Sequence, residues 1–191
     1  MPRDATATKA RIMEAAVAEF AEYGISGARM ERIAARARAN KRSLYDHFGD
    51  KAELFAIVLA DQLERLAAAV ELRSDGIAQY VGELYDYCAA HSELVRLVQW
   101  EALSLPPREA PAYLQRSASY QQKVDAIATA QRDGLIDASL DPRRVLLLLI
   151  GMAEWTLYVP QLAGMILQQE SETHAQQRAF LVAVVERLLA S

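Results

Sequence analysis

The sequence contains few of the residues that build cross-linked, metal-bound or disordered proteins. Cys88 is its only cysteine, which excludes an intrachain disulfide and a metal cluster built on thiolates. Three scattered histidines provide no metal-ligand spacing, and eight glycines with six prolines are too few for a disordered chain. Just over half of the residues are apolar, and alanine and leucine are abundant. We therefore expect an all-α protein with a packed core, no metal and no other cofactor.

Signals for export and for a membrane span are also weak. Residues 1–9 are polar and lack the apolar stretch of a secretory signal, which favours a cytoplasmic location. The one long apolar segment, 145–167, reaches the length of a span, but Glu154 lies near its centre and Pro160 interrupts it. We interpret this segment as a buried interface helix and expect no membrane partner.

The charges are divided unevenly along the chain. The net charge is −4, yet residues 1–51 carry ten Lys or Arg against seven Asp or Glu, and residues 52–191 carry eleven against eighteen. A basic N-terminal segment followed by an acidic remainder is typical of a protein that binds phosphates at one end.

Hydrophobic periodicity and cap signals predict about nine helices and no strand. The first begins near Thr6 or Thr8 and ends at Gly24, and the second covers 30–37. The third begins at Lys41 behind the cap Asn40, and a capping box at Asp50 and Glu53 begins the fourth. Breaks in the remaining sequence, the last of them at Ser171, place further helices at 76–90, 92–105, 110–134, 142–168 and 172–190. Asp141 is the expected cap of the helix at 142–168, with Pro142 in its first position.

The second and third helices, joined by a three-residue turn and held by the first, predict a helix-turn-helix that binds double-stranded DNA. Leu44 and Phe48 face inward and leave the opposite face of the third helix to the solvent. Lys41 and Arg42 lie in its first turn, where side chains reach guanine O6 and N7, so we expect them to read bases. Donors suited to phosphate oxygens follow at Ser43, Tyr45, His47 and Lys51.

These elements together resemble the N-terminal signature of the TetR family. The matching residues are Phe20 and Gly24 with three residues between them, Ile33-Ala34, the run Leu44-Tyr45-Asp46-His47-Phe48, and Lys51. The resemblance implies a dimeric repressor that is usually released by a ligand. It also implies phosphate contacts for Tyr45 and Lys51, and it lets Arg29 reach the DNA backbone or a groove.

The sequence departs from this signature at the ends of the second helix. Ala28-Arg29 replaces its usual threonine-rich start, so that its cap is unclear, and Arg38 replaces the turn glycine. If Arg38 adopts a positive φ, it carries strain of order 1 kcal/mol that glycine avoids. Arg42 replaces a small residue and enlarges the reading surface, while Asp46 either faces away from phosphate or accepts from cytosine N4.

Other interpretations of the basic cluster remain open. Arg38, Lys41 and Arg42 could form a solvated face, although with the signature around them we expect DNA contacts, to the backbone in the case of Arg38. His47 is either a scaffold residue or a phosphate contact. Tyr45 is expected to act on DNA, because Leu44 and Phe48 already fill the inward positions.

Aromatic residues beyond position 76 either form the core or line a cavity for a small-molecule effector. Glu154 is the most informative residue there, because no basic residue lies three or four positions away. A buried carboxylate needs water, a tertiary partner, the other subunit, or a cation or donor on a ligand. Arg96 is close enough in sequence to assist Glu101. Our candidates for an effector pocket are Trp100, Glu101, Tyr120, Glu154, Trp155 and Tyr158.

We assign residues 1–50 to DNA binding and residues 51–191 to effector binding and dimerisation. Length and hydrophobicity make 145–167 and 180–189 the expected surface of a homodimer. Such a dimer presents two recognition helices roughly 34 to 36 Å apart, or a multiple of this, and so predicts a palindromic operator.

Two other classes of protein compete with this interpretation. An enzyme could use Glu101, Glu154 and His91 for acid–base chemistry, but the sequence contains no phosphate-binding glycine loop, no zinc-protease motif and no nucleophile beside a recognisable base. A purely structural bundle would leave the basic cluster at 38–42 without a role. We expect a regulator and not an enzyme.

Overall fold

The computed structural model describes residues 2–168 and 173–189, and this part of the chain is α-helical without a strand. It contains ten α-helices. Their bounds are α1 Pro2–Gly27, α2 Met30–Ala37, α3 Lys41–Phe48, α4 Lys51–Ala69, α5 Ile77–Ala90, α6 Ser92–Ser104, α7 Tyr113–Arg132, α8 Pro142–Tyr158, α9 Pro160–Ile166 and α10 His174–Leu189. The prediction of an all-α fold is confirmed.

The chain divides into two compact units. The first contains the chain up to Arg65 together with Ser92–Tyr113, and the second contains Leu66–His91 and the described residues from Leu114 onward. These units are defined by their internal contacts. The boundary that we expect at residue 50 separates two functions instead, and it stays a prediction.

The caps that the sequence predicted are present. The side chain of Asn40 accepts a hydrogen bond from the backbone N–H of Arg42 at 2.9 Å and so begins α3. At the start of α4, the backbone N–H of Glu53 donates to Asp50 and the backbone N–H of Asp50 donates to Glu53, at 2.9 and 2.8 Å. Asp141 accepts from the backbone of Arg143 at 2.8 Å, with Pro142 as the first residue of α8. Each signal is local, and each sets a helix start.

A kink at Gly24 divides α1, which the sequence predicted to end there. Gly24 has φ 68° and ψ −178°, a conformation almost confined to glycine, and one further turn extends the helix to Gly27. Near the kink, the carbonyl of Ala21 accepts hydrogen bonds from Arg96 Nε at 2.6 Å and from the Trp100 indole at 3.3 Å. The helix also begins earlier than the predicted Thr6 or Thr8, at Pro2.

The core of the first unit confirms the predicted inward positions. Phe20 and Phe55 are fully buried, with their rings edge to face and their centroids 5.3 Å apart. Leu44 and Phe48 of α3 are buried as well. Burial of a side chain of this size stabilises the fold by about 1.5 to 3 kcal/mol, so these contacts fix how α3 is presented.

In the second unit, α5 packs against both α8 and α10. Asp86 of α5 accepts hydrogen bonds from His174 Nε2 and from Arg178 Nε, each at 2.6 Å. The ring of His174 stacks on Tyr85, with the centroids 4.8 Å apart. These contacts hold the beginning of α10 on α5.

The prediction of one helix over 142–168 is wrong. The helix ends at Tyr158, Val159 adopts φ −130° and ψ 61°, and Pro160 begins the separate helix α9. Proline has no N–H to donate and its ring clashes with the preceding turn, so the apolar run cannot continue as one helix. This break raises the number of described helices from the predicted nine to ten.

Other predicted bounds differ by a few residues. The helix expected at 110–134 covers Tyr113–Arg132 and follows a short 3₁₀-helix, Pro107–Glu109, that was not predicted. The last helix begins at His174, and the expected break at Ser171 lies outside the described residues.

Within the described ranges, no single helix is long and apolar enough to cross a membrane. The pair α8 and α9 meets the length and composition criterion only when both are taken together, and the two helices bend by 87° at their break.

Candidate functional site

The outer face of α3 carries the residues that the sequence predicted to read bases. Arg42 is the most exposed of them, with 89% of its side chain accessible, and Lys41 is about half exposed at 52%. Leu44 and Phe48 anchor the opposite face in the core. The helix therefore presents its first turn to the solvent on a rigid support.

Acidic residues restrain both basic side chains. Lys41 Nζ forms an ion pair with Glu31 of α2, and its ammonium also lies 5.9 Å from the centre of the Tyr45 ring. Hydrogen bonding to Glu31 raises the pKa of Lys41 above its ordinary value. Arg42 Nε lies 3.9 Å from Asp46, one turn along the same helix. Sequence reasoning missed Glu31, because the pair joins two helices.

The turn between α2 and α3 takes the conformation that the sequence predicted to be strained. Arg38 has φ 50° and ψ 43°, which is the left-handed region. Its backbone N–H nevertheless closes α2 by donating to the carbonyls of Ala34 and Ala35. The backbone of the cap is therefore hydrogen-bonded, and an exposed arginine occupies a position where a glycine would have less backbone strain.

The other residues predicted to contact the DNA backbone lie in α3 or at the starts of the neighbouring helices α2 and α4. Arg29 is exposed at the start of α2, Ser43 is half-buried, and Tyr45 is 44% exposed. His47 is exposed, with its ring edge to face with Phe48 at 6.5 Å between centroids. Lys51 Nζ donates to the carbonyls of Ser26 and Ala28 at 3.0 and 3.2 Å.

Two charged residues of α1 hold the ends of α2. Glu19 Oε1 accepts from the backbone N–H of Arg29 at 2.8 Å and from Arg32 Nε at 2.7 Å. At the other end, Arg11 Nε donates to the carbonyl of Ala37 at 3.2 Å. The unclear cap of α2 is therefore explained by Glu19, which the sequence analysis did not single out because its partners are ten and thirteen residues away.

We expect Glu19→Gln to destabilise the protein by about 2 kcal/mol, because the variant loses the buried negative charge that strengthens two short hydrogen bonds. Urea unfolding followed by circular dichroism measures this change. Glu14→Gln, on the exposed face of the same helix, is the matched control and should leave the midpoint unchanged. Equal midpoints for the two variants would show that Glu19 does not hold α2.

The six candidates for an effector pocket fall in different units. Trp100 and Glu101 belong to the first unit, where Glu101 is buried and the Trp100 ring packs on Gly24. Arg96, which we expected to assist Glu101, donates to the carbonyls of Ala21 and Glu22. The other four candidates, Tyr120, Glu154, Trp155 and Tyr158, belong to the second unit.

Three helices of the second unit contribute to a cluster of one carboxyl group, one thiol and three phenols around Glu154. The Cys88 thiol of α5 donates to Glu154 Oε1 across 3.7 Å, and the Tyr158 hydroxyl hydrogen-bonds to the same carboxylate. Tyr80 of α5 lies within electrostatic range of Glu154, and Tyr120 of α7 lies within electrostatic range of Tyr80 and Tyr158. We call these five residues the Glu154 cluster.

Every shift resolved in the Glu154 cluster has the same sign. Burial raises the pKa of the Glu154 carboxyl, although its two hydrogen bonds act in the opposite direction. Burial and the nearby carboxylate raise the pKa of Tyr80, Cys88 and Tyr158 far above their ordinary values. The cluster thus holds one carboxylate among neutral donors.

The raised pKa of Glu154 predicts a pH effect on stability. The folded protein binds the proton more tightly than the unfolded chain, whose glutamate titrates near 4.5, so stability falls as the pH rises through the folded-state pKa. Tyr80, Cys88 and Tyr158 stay protonated in that range. We expect the unfolding free energy of Glu154→Gln to exceed that of the wild type by a margin that grows with pH above about 4.5. Parallel pH dependences in urea unfolding would contradict this.

A groove of about 390 Å³ also lies in the second unit, between the end of α4, residues 70–72 and α7. Its lining includes Lys123, which is half-buried and whose pKa burial lowers. None of its residues was among the predicted candidates.

Two family models match the chain. The model described as bacterial regulatory proteins of the tetR family matches residues 12–58, which contain the helix-turn-helix. The model described as a tetracyclin repressor-like C-terminal domain matches residues 76–187.

Individual proteins agree with this match. The HTH-type transcriptional repressor SCO4008 of Streptomyces coelicolor is 47% identical over 160 residues, which cover 84% of this chain and 83% of that protein. The solved structure of the transcriptional regulator SCO4942 from the same species has a TM-score of 0.85 at 36% identity and covers 95% of this chain and 98% of its own. FadR from Bacillus subtilis in complex with stearoyl-CoA has a TM-score of 0.71 at 16% identity and covers 95% and 99%, a likeness of fold. With both family models matched and a relative at this identity, the chain belongs to the TetR family of transcriptional regulators.

Proposed function

We propose that the protein is a repressor that binds a palindromic operator as a homodimer and leaves it when a small-molecule effector binds. The observation that carries this proposal is the outer face of α3, where Arg42 is almost fully exposed above a buried anchor of Leu44 and Phe48. Arginine donates two parallel hydrogen bonds to guanine, which a flexible surface side chain could not aim without such support. Residues 1–50 bind DNA in this proposal, and residues 51–191 bind the effector and the second subunit.

Repression, rather than activation, is supported by the name of SCO4008, the relative at 47% identity. The family resemblance supports release by an effector. FadR, whose structure contains stearoyl-CoA, is 16% identical to this chain, so its ligand does not indicate the class of effector of this protein. The Glu154 cluster is the proposed place for it.

Selection from a pool of random duplexes tests the proposal. The purified protein is incubated with the pool, and the bound duplexes are recovered and sequenced. We expect an enriched palindrome whose half-sites lie one helical turn, or a multiple of it, apart. Recovery of sequences without any enrichment would contradict a sequence-reading repressor.

The second subunit is proposed to bind α8 and α10. These helices contact each other, and both expose large apolar side chains that a lone subunit would leave in water. The exposed side chains on the two helices are Leu147, Leu148, Trp155, Phe180 and Leu188. A two-fold axis on this surface gives the two recognition helices that a palindrome requires.

We expect Phe180→Glu to convert the dimer into a monomer. Phe180 is 59% exposed in the single chain, and a glutamate at this position would bury a charge at the interface. Sedimentation equilibrium measures the mass. Leu114→Glu, at a position of α7 that is 80% exposed, is the control and should leave the mass unchanged. A dimer that survives Phe180→Glu but not Leu114→Glu would place the interface on another surface.

A further inference from the structure

We propose that the Glu154 cluster selects an effector that carries a positively charged nitrogen on an aromatic body. The inference rests on the proposed function, because it names the ligand class for the proposed effector site. It follows from the neutral donors that surround Glu154 and from the lack of a basic partner for it among the described residues.

The carboxylate of Glu154 has only neutral hydrogen-bond partners. Its donors are a phenol, on Tyr158, and a thiol, which is a weak donor and lies 3.7 Å away on Cys88. Among the described residues, no lysine, arginine or histidine forms an ion pair with Glu154 or acts on its pKa. A charged carboxylate removed from water without a cation is costly, and a cation supplied by a ligand would remove that cost.

The remaining members of the cluster suit such a ligand. Tyr158 hydrogen-bonds to the carboxylate, and Tyr80 lies within electrostatic range of it. Tyr120 lies within electrostatic range of these two tyrosines, and the three phenols come from three different helices. The faces of aromatic rings attract cations, and a quaternary ammonium enclosed by aromatic side chains is a frequent form of recognition. An anionic ligand would instead meet the negative charge of the Glu154 carboxylate.

The cluster extends from the core to the surface. Tyr80 is 3% exposed and Cys88 is 2% exposed, Glu154 and Tyr158 are half-buried, and Tyr120 is 42% exposed. The ligand of this proposal enters on the side of Tyr120, the most exposed member of the cluster. The groove whose lining includes Lys123 lies in the same unit but shares no residue with the Glu154 cluster.

A matched pair of probes tests the inference. 4-(Trimethylammonio)phenol and 4-tert-butylphenol have the same shape and differ in one positive charge. Isothermal titration calorimetry with the full-length protein measures the affinity of each probe. We expect the cation to bind roughly tenfold more tightly than its neutral counterpart, as a cation over aromatic rings beside a carboxylate predicts.

Variants locate the effect. In Glu154→Gln the preference for the cation should disappear, whereas Glu83→Gln, which removes an exposed carboxylate from α5, should preserve it. Thermal unfolding confirms that each variant is folded. Equal affinities of the two probes for the wild type, or a preference that survives in Glu154→Gln, would overturn the inference, and so would failure of the cation to bind.

The release of DNA is measured separately, by fluorescence anisotropy with a selected operator. Binding of the cation at Glu154 without release of DNA would uphold the ligand class and contradict the proposed effector response. Binding to the operator without any preference for the cation would overturn the inference and leave the proposed repressor intact.

Discussion

The double variant Lys41→Ala/Arg42→Ala is expected to lose specific binding to the operator by about 100-fold to 1,000-fold, because each base contact is worth about 1 to 3 kcal/mol. The two side chains lie in the first turn of α3, and neither takes part in the core. The variant should therefore fold, and its thermal midpoint should match that of the wild type. Fluorescence anisotropy with a labelled operator measures the loss.

Arg108→Ala/Arg132→Ala is the matched control for this prediction. It removes the same number of positive charges from exposed positions that lie outside α3 and outside the proposed dimer helices α8 and α10. Its operator affinity should change little. An equal loss in both double variants would mean that overall charge, rather than α3, accounts for binding.

Gly24→Ala is expected to destabilise the protein by about 3 kcal/mol, through backbone strain and overpacking together. A Cβ atom at this position would lie 2.7 Å from two ring atoms of Trp100, and the backbone conformation, with φ 68°, is one that alanine rarely adopts. The Trp100 indole is held by its bond to the carbonyl of Ala21 and cannot easily move. Urea unfolding measures the change.

Gly134→Ala separates the two contributions. Gly134 also has a positive φ, of 73°, but an added Cβ would meet nothing within 4 Å. We expect a loss of about 1 kcal/mol from the backbone alone. If both variants lost the same amount, the contact between Gly24 and Trp100 would contribute nothing to stability.

Sequence reasoning predicted those features whose causes are local. The caps at Asn40, Asp50 and Asp141 depend on side chains two or three residues from the N–H groups that they bind, so a short stretch of sequence contains the whole interaction. The replacement of the turn glycine by Arg38 raised the possibility of a left-handed residue there, and Arg38 adopts that conformation.

Long-range contacts were not predictable in this way. The partners of Glu19 and Glu31 lie on other helices, and Gly24 packs against Trp100, which is 76 residues away in the sequence. Trp100 was grouped with the effector candidates for its aromatic ring alone, whereas its packing on α1 is a property of the folded unit. The break before Pro160 had a local signal, but the length of the apolar run favoured one helix.

The candidate site was predictable to the same extent. Periodicity placed Lys41 and Arg42 opposite Leu44 and Phe48, and the exposure of the two faces confirms that placement. Glu154 was singled out because no base lies near it in sequence, but its thiol and phenol neighbours emerge only when α5, α7 and α8 come together.

Sequence-specific recognition of DNA by α3 underlies the proposed function. Its most direct test is the ratio of the dissociation constants for the selected operator and for a scrambled duplex of equal length, measured at several salt concentrations. We predict a ratio of about 1,000 or more at physiological salt, with both affinities falling as salt rises. A ratio near one at every salt concentration would contradict the claim, because the basic head would then bind phosphates without reading bases.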